Sequence, residues 1–213
     1  MSDEYNVVQR QHEIPRRGAE ASAGMVDLGP YYLNALEDEI HHKPGNTLAA
    51  LPAGVGRFAG TAFDVRGAIQ LAGKDSTEIT HTIYPPEIKG ITVGCRGSRI
   101  AFLHAAAWGP EDGQCHIGDY VLHYAGGETR AIAIEYNRNA SDWWAREGDP
   151  VPAEAELAWE GSNPRVADMG FRLRLFKYAC ANPLPDEEIV SLDVISCLVH
   201  SAPLLLAVTV EGA

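Results

Sequence analysis

The chain has 213 residues, of which 46% are hydrophobic, and its 17 basic and 29 acidic side chains give a formal net charge of −12. An acidic surface repels the phosphate backbone, so we expect no nucleic-acid partner. The sequence has no apolar run of the roughly 18 residues that a membrane-spanning helix requires, and its length suits one hydrophobic core.

The first segment of the chain, residues 1–24, is polar and shows no regular period. This composition predicts a flexible N-terminal arm, followed by a single folded domain over 25–213. The segment also lacks the apolar core of a signal peptide, so the sequence assigns no cellular compartment.

Residues 51–73 alternate small and apolar side chains and predict a strand pair or a bent strand in their second half. Gly54, Gly56 and Gly60 do not have the spacing of a dinucleotide-binding loop. Asp64 and Arg66 share one face of this strand. Arg172 and Arg174 share a face of another strand in the same way. An ion pair that braces two sheet edges is favoured over a groove for an acidic sugar, although arginine suits either role.

The run from 91 to 136 predicts three consecutive antiparallel strands at 99–106, 120–124 and 130–136, separated by turns. Four further strands are predicted at 153–161, 170–178, 188–198 and 203–211, and FRLRLF at 171–176 alternates strictly. We therefore predict an all-β fold with little helix, namely an antiparallel β-sandwich of jelly-roll-like form.

Several phrases of the sequence carry a resemblance to a known kind of domain. They are VDLGPYY (26–32), FAGTAFDVRGAIQL (58–71), IYPPEIKGITVG (83–94), IAFLHAAAW (100–108), GDYVLHYAGGETRAIAIEY (118–136), DWW (142–144), WEGSNP (159–164), LRLFKY (173–178) and VSLDVIS (190–196). The chain resembles bacterial galactose-binding-like or carbohydrate-binding jelly rolls, of the type attached to planctomycete and verrucomicrobial proteins. The resemblance implies a non-catalytic accessory module, and similar domains occur in exported proteins.

The main candidate site is the pair Trp143 and Trp144, which follows the turn-like segment 137–141. Indole faces stack on sugar C–H surfaces, while neighbouring carboxylates and amides bond the hydroxyls. Asp142 lies beside the pair. Trp159 and Asn163 fall in another turn and could join it at one end of the sandwich, where loops gather. The alternative is that one tryptophan is core and the other closes the sandwich end.

A second, weaker candidate is a histidine cluster. His104 and His123 are predicted on two strands joined by a loop, and alternation places Glu135 of the next strand on the same side. Such a set could hold a transition metal or act as an acid and base. Ordinary histidines of the sheets are the favoured interpretation, because a single bulge would move one of them to the other face.

The sequence gives only weak indications of a bound metal ion or cofactor. The acidic residues Glu111 and Asp112, and also Asp149, could ligate a structural calcium ion, but the regular calcium-loop spacing is missing. The four cysteines have no zinc-finger spacing. No nucleophile motif is present, so no catalytic residue is assigned and no cofactor is expected.

These observations favour a carbohydrate-binding β-sandwich module that recognises a polysaccharide or glycan through an aromatic and polar patch. One alternative is a lyase or hydrolase that acts on polysaccharide from the same scaffold with His and Glu acid–base groups. Another is a protein-interaction module that forms a homodimer through a sheet face. Fold alone does not choose between them.

Overall fold

A computed structural model of the chain describes residues 5–110 and 115–212. Strands account for 46% and helices for 7% of the structure, which confirms the predicted all-β class. In the described ranges the strands are β1 (Asn6–Val7), β2 (Asn34–Ala35), β3 (Gly54–Phe58), β4 (Thr61–Val65), β5 (Gly67–Gln70), β6 (Thr82–Ile83), β7 (Glu87–Cys95), β8 (Arg99–Ala107), β9 (His116–Tyr124), β10 (Thr129–Glu135), β11 (Trp144–Ala145), β12 (Glu156–Gly161), β13 (Arg172–Ala181), β14 (Ile189–Ser196) and β15 (Ala202–Glu211). The helical segments are a 3-10 turn at Ile40–His42, α1 (Lys74–Thr80) and α2 (Pro164–Asp168).

Two antiparallel sheets form the sandwich. The smaller has the strand order β10-β9-β14-β7, and the larger has the order β11-β13-β8-β15-β5-β2, with β12 also paired to β13. Their facing side chains form one core, in which the rings of Phe102 and Tyr120 stack at 4.0 Å between the sheets. The apolar half of each alternating strand supplies this core, as the sequence predicts.

The larger sheet is also covered on its other face. Strand β8 contributes Ile100 and Phe102 to the core between the sheets, and Ala101 and Leu103 to a second core. This second core is completed by a cap, by which we mean residues 36–66 together with α2. Since both faces of β8 are buried, its sequence is a continuous apolar run rather than an alternating one.

Two sequence predictions need correction. The strand predicted at 99–106 does not neighbour the strand predicted at 120–124, because β8 pairs with β13 and β15 in the larger sheet whereas β9 pairs with β10 and β14. Chain order does not fix pairing when consecutive strands cross between layers. The segment around 162–164 was predicted as a turn, and it caps and begins α2.

The described part of the predicted arm, 5–24, contacts the body at several points. Strand β1 pairs in parallel with β6, the backbone N–H groups of Gln11 and His12 both donate to Asp38, and Arg17 donates to the backbone carbonyl of Ser22 at 3.0 Å. Whether 1–24 moves as an arm remains a prediction. In the described ranges, none of the helices has the length and apolar character needed to cross a membrane.

Candidate functional site

The main candidate site is a cleft between the cap and the end of β8. It consists of two adjoining pockets of about 180 and 470 Å³, and we call them together the aromatic cleft. Both pockets are lined by Asp142, Trp144 and Phe171. The smaller is completed by His41, Trp108 and Trp143, and the larger by residues that include Tyr136, Asn137, Arg146, Asp149 and Arg174.

The cleft exists because β8 ends and β11 takes its place beside β13. Strand β8 stops at Ala107, and Trp108 turns the chain away in a left-handed conformation with φ 63°. The backbone of Ala106 then bridges to the 141–143 segment, since its carbonyl accepts from Trp143 N at 2.9 Å. Trp144 continues the sheet by pairing with Leu173 of β13. This exchange of strands leaves a gap that aromatic rings line.

The aromatic side chains divide into a floor and walls. Trp143 is only 2% exposed and packs in the second core, so it forms the floor. Trp108, Trp144 and Phe171 are half-buried and present ring surface to the cleft. The rings of Trp144 and Phe171 lie 5.8 Å apart and those of Trp143 and Trp144 lie 6.1 Å apart. Such tilted aromatic packing holds each ring in place.

Asp142 is the carboxylate of the smaller pocket. Its Oδ1 accepts a hydrogen bond of 2.9 Å from Trp144 N. Burial raises the pKa of Asp142 to about 7, and the nearby negative charge of Asp149 adds to the rise, whereas the positive charge of Arg174 opposes it. A carboxyl group in an apolar recess therefore exchanges a proton near neutral pH.

His41 closes the inner end of the cleft. Its ring lies 4.5 Å from the ring of Trp108, and its Nε2 donates to Gln70 Oε1 at 2.8 Å. Burial lowers the pKa of His41 to about 4, so the imidazole is neutral at pH 7. It therefore offers the cleft a flat, uncharged ring.

The backbone is strained around the cleft. His41, Trp108 and Asn137 all have positive φ, at 63°, 63° and 62°. A left-handed conformation at a residue other than glycine costs of order 1–3 kcal/mol, least for asparagine, and such residues cluster at ligand sites. The surrounding packing must therefore hold these three residues in place.

Buried donors without partners also gather here. Among the described residues, Trp144 Nε1, Arg174 Nε and Gln70 Nε2 are buried and make no hydrogen bond. Two of these side chains line the cleft and the third bonds His41. Unsatisfied buried donors are destabilising, so their concentration beside one cleft marks a region that is not optimised for stability alone.

The structure divides the predicted carbohydrate-binding residues into two groups. Asp142, Trp143 and Trp144 line the cleft together. Trp159 lies on β12, which pairs along the edge of β13 that does not contact β8. Asn163 caps α2 by accepting from Val166 N, and it donates to the Thr47 carbonyl. Neither Trp159 nor Asn163 lines the cleft, so we do not include them in this site.

The structure does not bring the predicted metal candidates together. His104 is fully buried between the sheets, where it accepts from Tyr120 Oη and donates to the Asn139 carbonyl. His123 faces outward from the other sheet and bonds Asp193 at 2.9 Å. Glu135 forms an ion pair with Arg138. Because β8 and β9 belong to different sheets, alternation along each strand could not place His104 beside His123.

The remaining polar candidates are the pair Asp64 and Arg66 and the acidic residues considered for calcium. Asp64 and Arg66 are both buried and bond each other, and Arg172 forms an ion pair with Glu160 of β12. The predicted brace between two sheet edges remains a prediction. The calcium candidates at 111–113 lie outside the described residues, and Asp149 Oδ2 accepts from Arg146 N at 2.7 Å. A structural calcium ion remains a prediction.

Sequence reasoning missed Trp108, Phe171 and His41 as members of the site. Trp108 directly follows an apolar strand run, and binding residues often lie on the loops at strand ends, so this signal was available. Phe171 belongs to the alternating run 171–176, which predicted a strand and did not indicate a binding site. His41 lies far from the other cleft residues in the sequence, and no pattern around it indicated a binding site.

Comparisons with protein-family models, with curated proteins and with solved structures gave no match. The structure itself defines the class of this chain as an all-β protein with antiparallel sheets. The resemblance to galactose-binding-like and carbohydrate-binding modules remains an expectation.

Proposed function

We propose that this chain is a non-catalytic carbohydrate-binding protein that holds a glycan in the aromatic cleft. The observation that carries the proposal is the convergence of Trp108, Trp143, Trp144 and Phe171 on one recess that also contains a carboxyl group, Asp142. The strained backbone and the unpartnered donors of the same region support it.

The cleft offers the two kinds of contact that a sugar requires. The half-buried rings of Trp108, Trp144 and Phe171 supply apolar faces for sugar C–H surfaces. The hydroxyl groups of the sugar require donors and acceptors at the rim. Asp149 and Arg146 line the larger pocket, and the Arg146 guanidinium lies 4.8 Å from the centre of the Phe171 ring.

The size of the cleft suits a short glycan segment. The inner pocket of about 180 Å³ is smaller than the roughly 300–1,000 Å³ of sites for drug-sized ligands. It therefore suits a single sugar unit. The adjoining pocket of about 470 Å³ gives space for the next units.

The first test is a binding screen of the purified chain against neutral and acidic oligosaccharides, read by intrinsic tryptophan fluorescence. Trp144→Ala should weaken binding by about ten-fold or more, because the wall of the cleft is lost. Trp159→Ala is the matched control, since Trp159 is also half-buried but lies outside the cleft. Loss of binding in Trp159→Ala with retention in Trp144→Ala, or no binding across the panel, would contradict the proposal.

A second candidate function is glycoside hydrolysis, and the pair Asp142 and Asp149 favours it. Glycosidases use a pair of carboxyl groups, and burial that raises the pKa of one of them, as it does for Asp142, suits the group that donates a proton. These two residues, rather than His104, His123 and Glu135, would be the acid–base groups. Product analysis of the same mixtures decides: sugar products that disappear in Asp142→Asn while binding persists would establish the enzyme.

The homodimer alternative remains a prediction. Tyr5, Val7, Ile79 and Ile83 are large apolar side chains exposed on or beside β1, α1 and β6. Light scattering of the chain, whose monomer mass is 23.0 kDa, tests it directly. A mass of twice this value would support the dimer.

A further inference from the structure

A second cluster of reactive side chains lies on the outer face of the smaller sheet, away from the aromatic cleft. It consists of His116, Asp119 and Cys197, whose potential ligand atoms all lie within 4.8 Å of one another. Cys197 is exposed and carries a free thiol. Within the described residues, no other set of three His, Cys, Asp or Glu side chains has this spacing.

A β-bulge brings His116 to this face. In a regular strand, residues 116 and 119 would lie on opposite faces. The register of β9 against β10 shifts between the pairs Gly118–Ile134 and His116–Glu135, so β9 has one extra residue there. The shift moves His116 to the face that carries Asp119. Bulges commonly redirect side chains in this way at functional sites.

The neighbouring strand supplies the thiol. Cys197 directly follows β14, and its backbone N–H donates to the Ile117 carbonyl at 2.9 Å. Gly118 permits this close approach, because a Cβ there would lie 2.4 Å from the carbonyl oxygen of Ile195. The bulge and the end of β14 therefore form one corner, and both are held by backbone contacts.

The hydrogen bonds around His116 direct one ring nitrogen at the thiol. Its Nε2 donates to Asp119 Oδ1 at 3.1 Å, which favours the tautomer with an unprotonated Nδ1. This Nδ1 lies 3.8 Å from Cys197 Sγ. Two ligand atoms of a tetrahedral zinc ion, one nitrogen and one sulfur, are about 3.5 Å apart when the usual bond lengths apply. The observed separation is close to this value.

We propose that His116 Nδ1 and Cys197 Sγ bind a zinc ion at this corner, with Asp119 holding the imidazole through its other nitrogen. A carboxylate that orients a metal-binding histidine is a common arrangement in zinc proteins. Water fills the remaining positions of the metal. The thiol loses its proton to solvent when the metal binds, since thiolate is the ligand form.

The same sheet face provides an internal comparison. His123 and Asp193 form an equivalent pair on β9 and β14, with Nε2 2.9 Å from Asp193 Oδ2. In the described ranges this second pair belongs to no three-residue group with metal-ligand spacing. Glu135, the cross-strand neighbour of His116, forms an ion pair with Arg138 and is therefore not assigned as a ligand.

The experiment is a titration of the full chain with Zn²⁺ alone, in competition with a chromophoric chelator, and a parallel titration with Co²⁺. We expect one metal ion per chain and a thiolate-to-cobalt charge-transfer band in the near ultraviolet. Cys197→Ser and His116→Ala should abolish uptake, and Asp119→Asn should weaken it about 10–100-fold. His123→Ala, the matched control, should bind as the wild type does.

Alkylation of the wild-type chain provides a test that does not depend on the folding of any variant. Zn²⁺ should slow the alkylation of Cys197, measured by mass spectrometry, and leave Cys95 and Cys180 unchanged. The proposal is overturned by uptake below one ion per chain, by a cobalt complex without the thiolate band, or by protection of Cys115 instead of Cys197. Equal weakening in His123→Ala and His116→Ala would overturn it as well.

Discussion

The two faces of the larger sheet bury similar amounts of apolar side chain but are covered in different ways. The face towards the smaller sheet packs strand against strand, and its buried histidine, His104, has both ring nitrogens hydrogen-bonded. The other face is covered by the cap. There the buried His41 has positive φ, and its Nε2 donates a hydrogen bond to Gln70 Oε1. Regular strand pairing satisfies the hydrogen-bonding groups of the backbone and of the side chains together, whereas the irregular segments of the cap leave gaps in the packing.

The difference shows where this molecule can bind a ligand. In the core between the sheets, both ring nitrogens of His104 are hydrogen-bonded, and Tyr124 Oη donates to Asn182 Oδ1. The cap side contains the aromatic cleft, the strained His41 and Trp108, and the unpartnered donors of Trp144 and Gln70. We therefore expect the face between the sheets to be the more sensitive to core substitution, and we place the candidate function on the cap face. The predictions below test this division.

The largest expected effect is on the face between the sheets. Phe102 is fully buried and stacks on Tyr120 across the sandwich. Phe102→Ala should lower the free energy of unfolding by about 3–5 kcal/mol, since it leaves a cavity in a packed core. Urea denaturation measures the change. Trp144→Ala should cost clearly less, and a larger loss in Trp144→Ala would refute the division.

The second prediction concerns the loss of stability at acid pH. Burial lowers the pKa of both His104 and His41 to about 4, from 6.5 in an exposed histidine. The unfolded chain therefore binds more protons than the folded chain between pH 6.5 and 4. Each histidine contributes about 3 kcal/mol of stability that is fully present above pH 6.5 and is lost as the pH falls towards 4.

Stability measured from pH 7 to pH 4 in His104→Gln and in His41→Gln separates the two contributions. Each substitution should reduce the slope of stability against pH by about one proton. An unchanged slope in His41→Gln would mean that the cap already opens in the native state near pH 5. The same result in His104→Gln would show that the core between the sheets admits water.

The third prediction concerns Asp142, whose contribution to stability is lost as the pH rises rather than as it falls. Burial raises the pKa of Asp142 to about 7, so the folded chain retains a proton that the unfolded chain releases above pH 3.8. Its contribution to stability is present below pH 3.8 and is lost as the pH rises through 7. Asp142→Asn should therefore stabilise the chain at pH 8 by about 1–3 kcal/mol.

Thermal unfolding of Asp142→Asn at pH 8 and at pH 4 provides the comparison. The gain should be present at pH 8 and absent at pH 4. A gain of the same size at both values would show that the amide improves packing and that ionisation is not the cause.

The smallest expected effect concerns backbone strain at the rim of the cleft. Asn137 is exposed and has φ 62°. Asn137→Gly should stabilise the chain by about 0.5 kcal/mol because glycine adopts this conformation freely, and Asn137→Ala should destabilise it. Chemical denaturation of both variants measures the two changes in the free energy of unfolding, which should have opposite signs. Equal values would show that position 137 relaxes at no cost.

The sequence determined many of the strands, although it did not predict β7 (Glu87–Cys95). Side-chain alternation and turn residues predicted segments at 170–178, 188–198 and 203–211, and the structure has strands at Arg172–Ala181, Ile189–Ser196 and Ala202–Glu211. A short helical turn before Lys43 was predicted and is present at Ile40–His42, whereas α1 and α2 were missed, since they are too short to show a period. The placement of Asp64 and Arg66 on one face also needed only local information, because residues two apart on a strand share a face.

The tertiary structure alone decided which residues meet. His41 and Trp108 come together because the cap folds over the end of β8, and His116 joins Asp119 because β9 carries one extra residue. Trp143 and Trp144, although adjacent in sequence, became floor and wall of one cleft. Local periodicity is encoded in neighbouring residues, whereas strand pairing and bulges depend on packing between distant segments, which one sequence does not display.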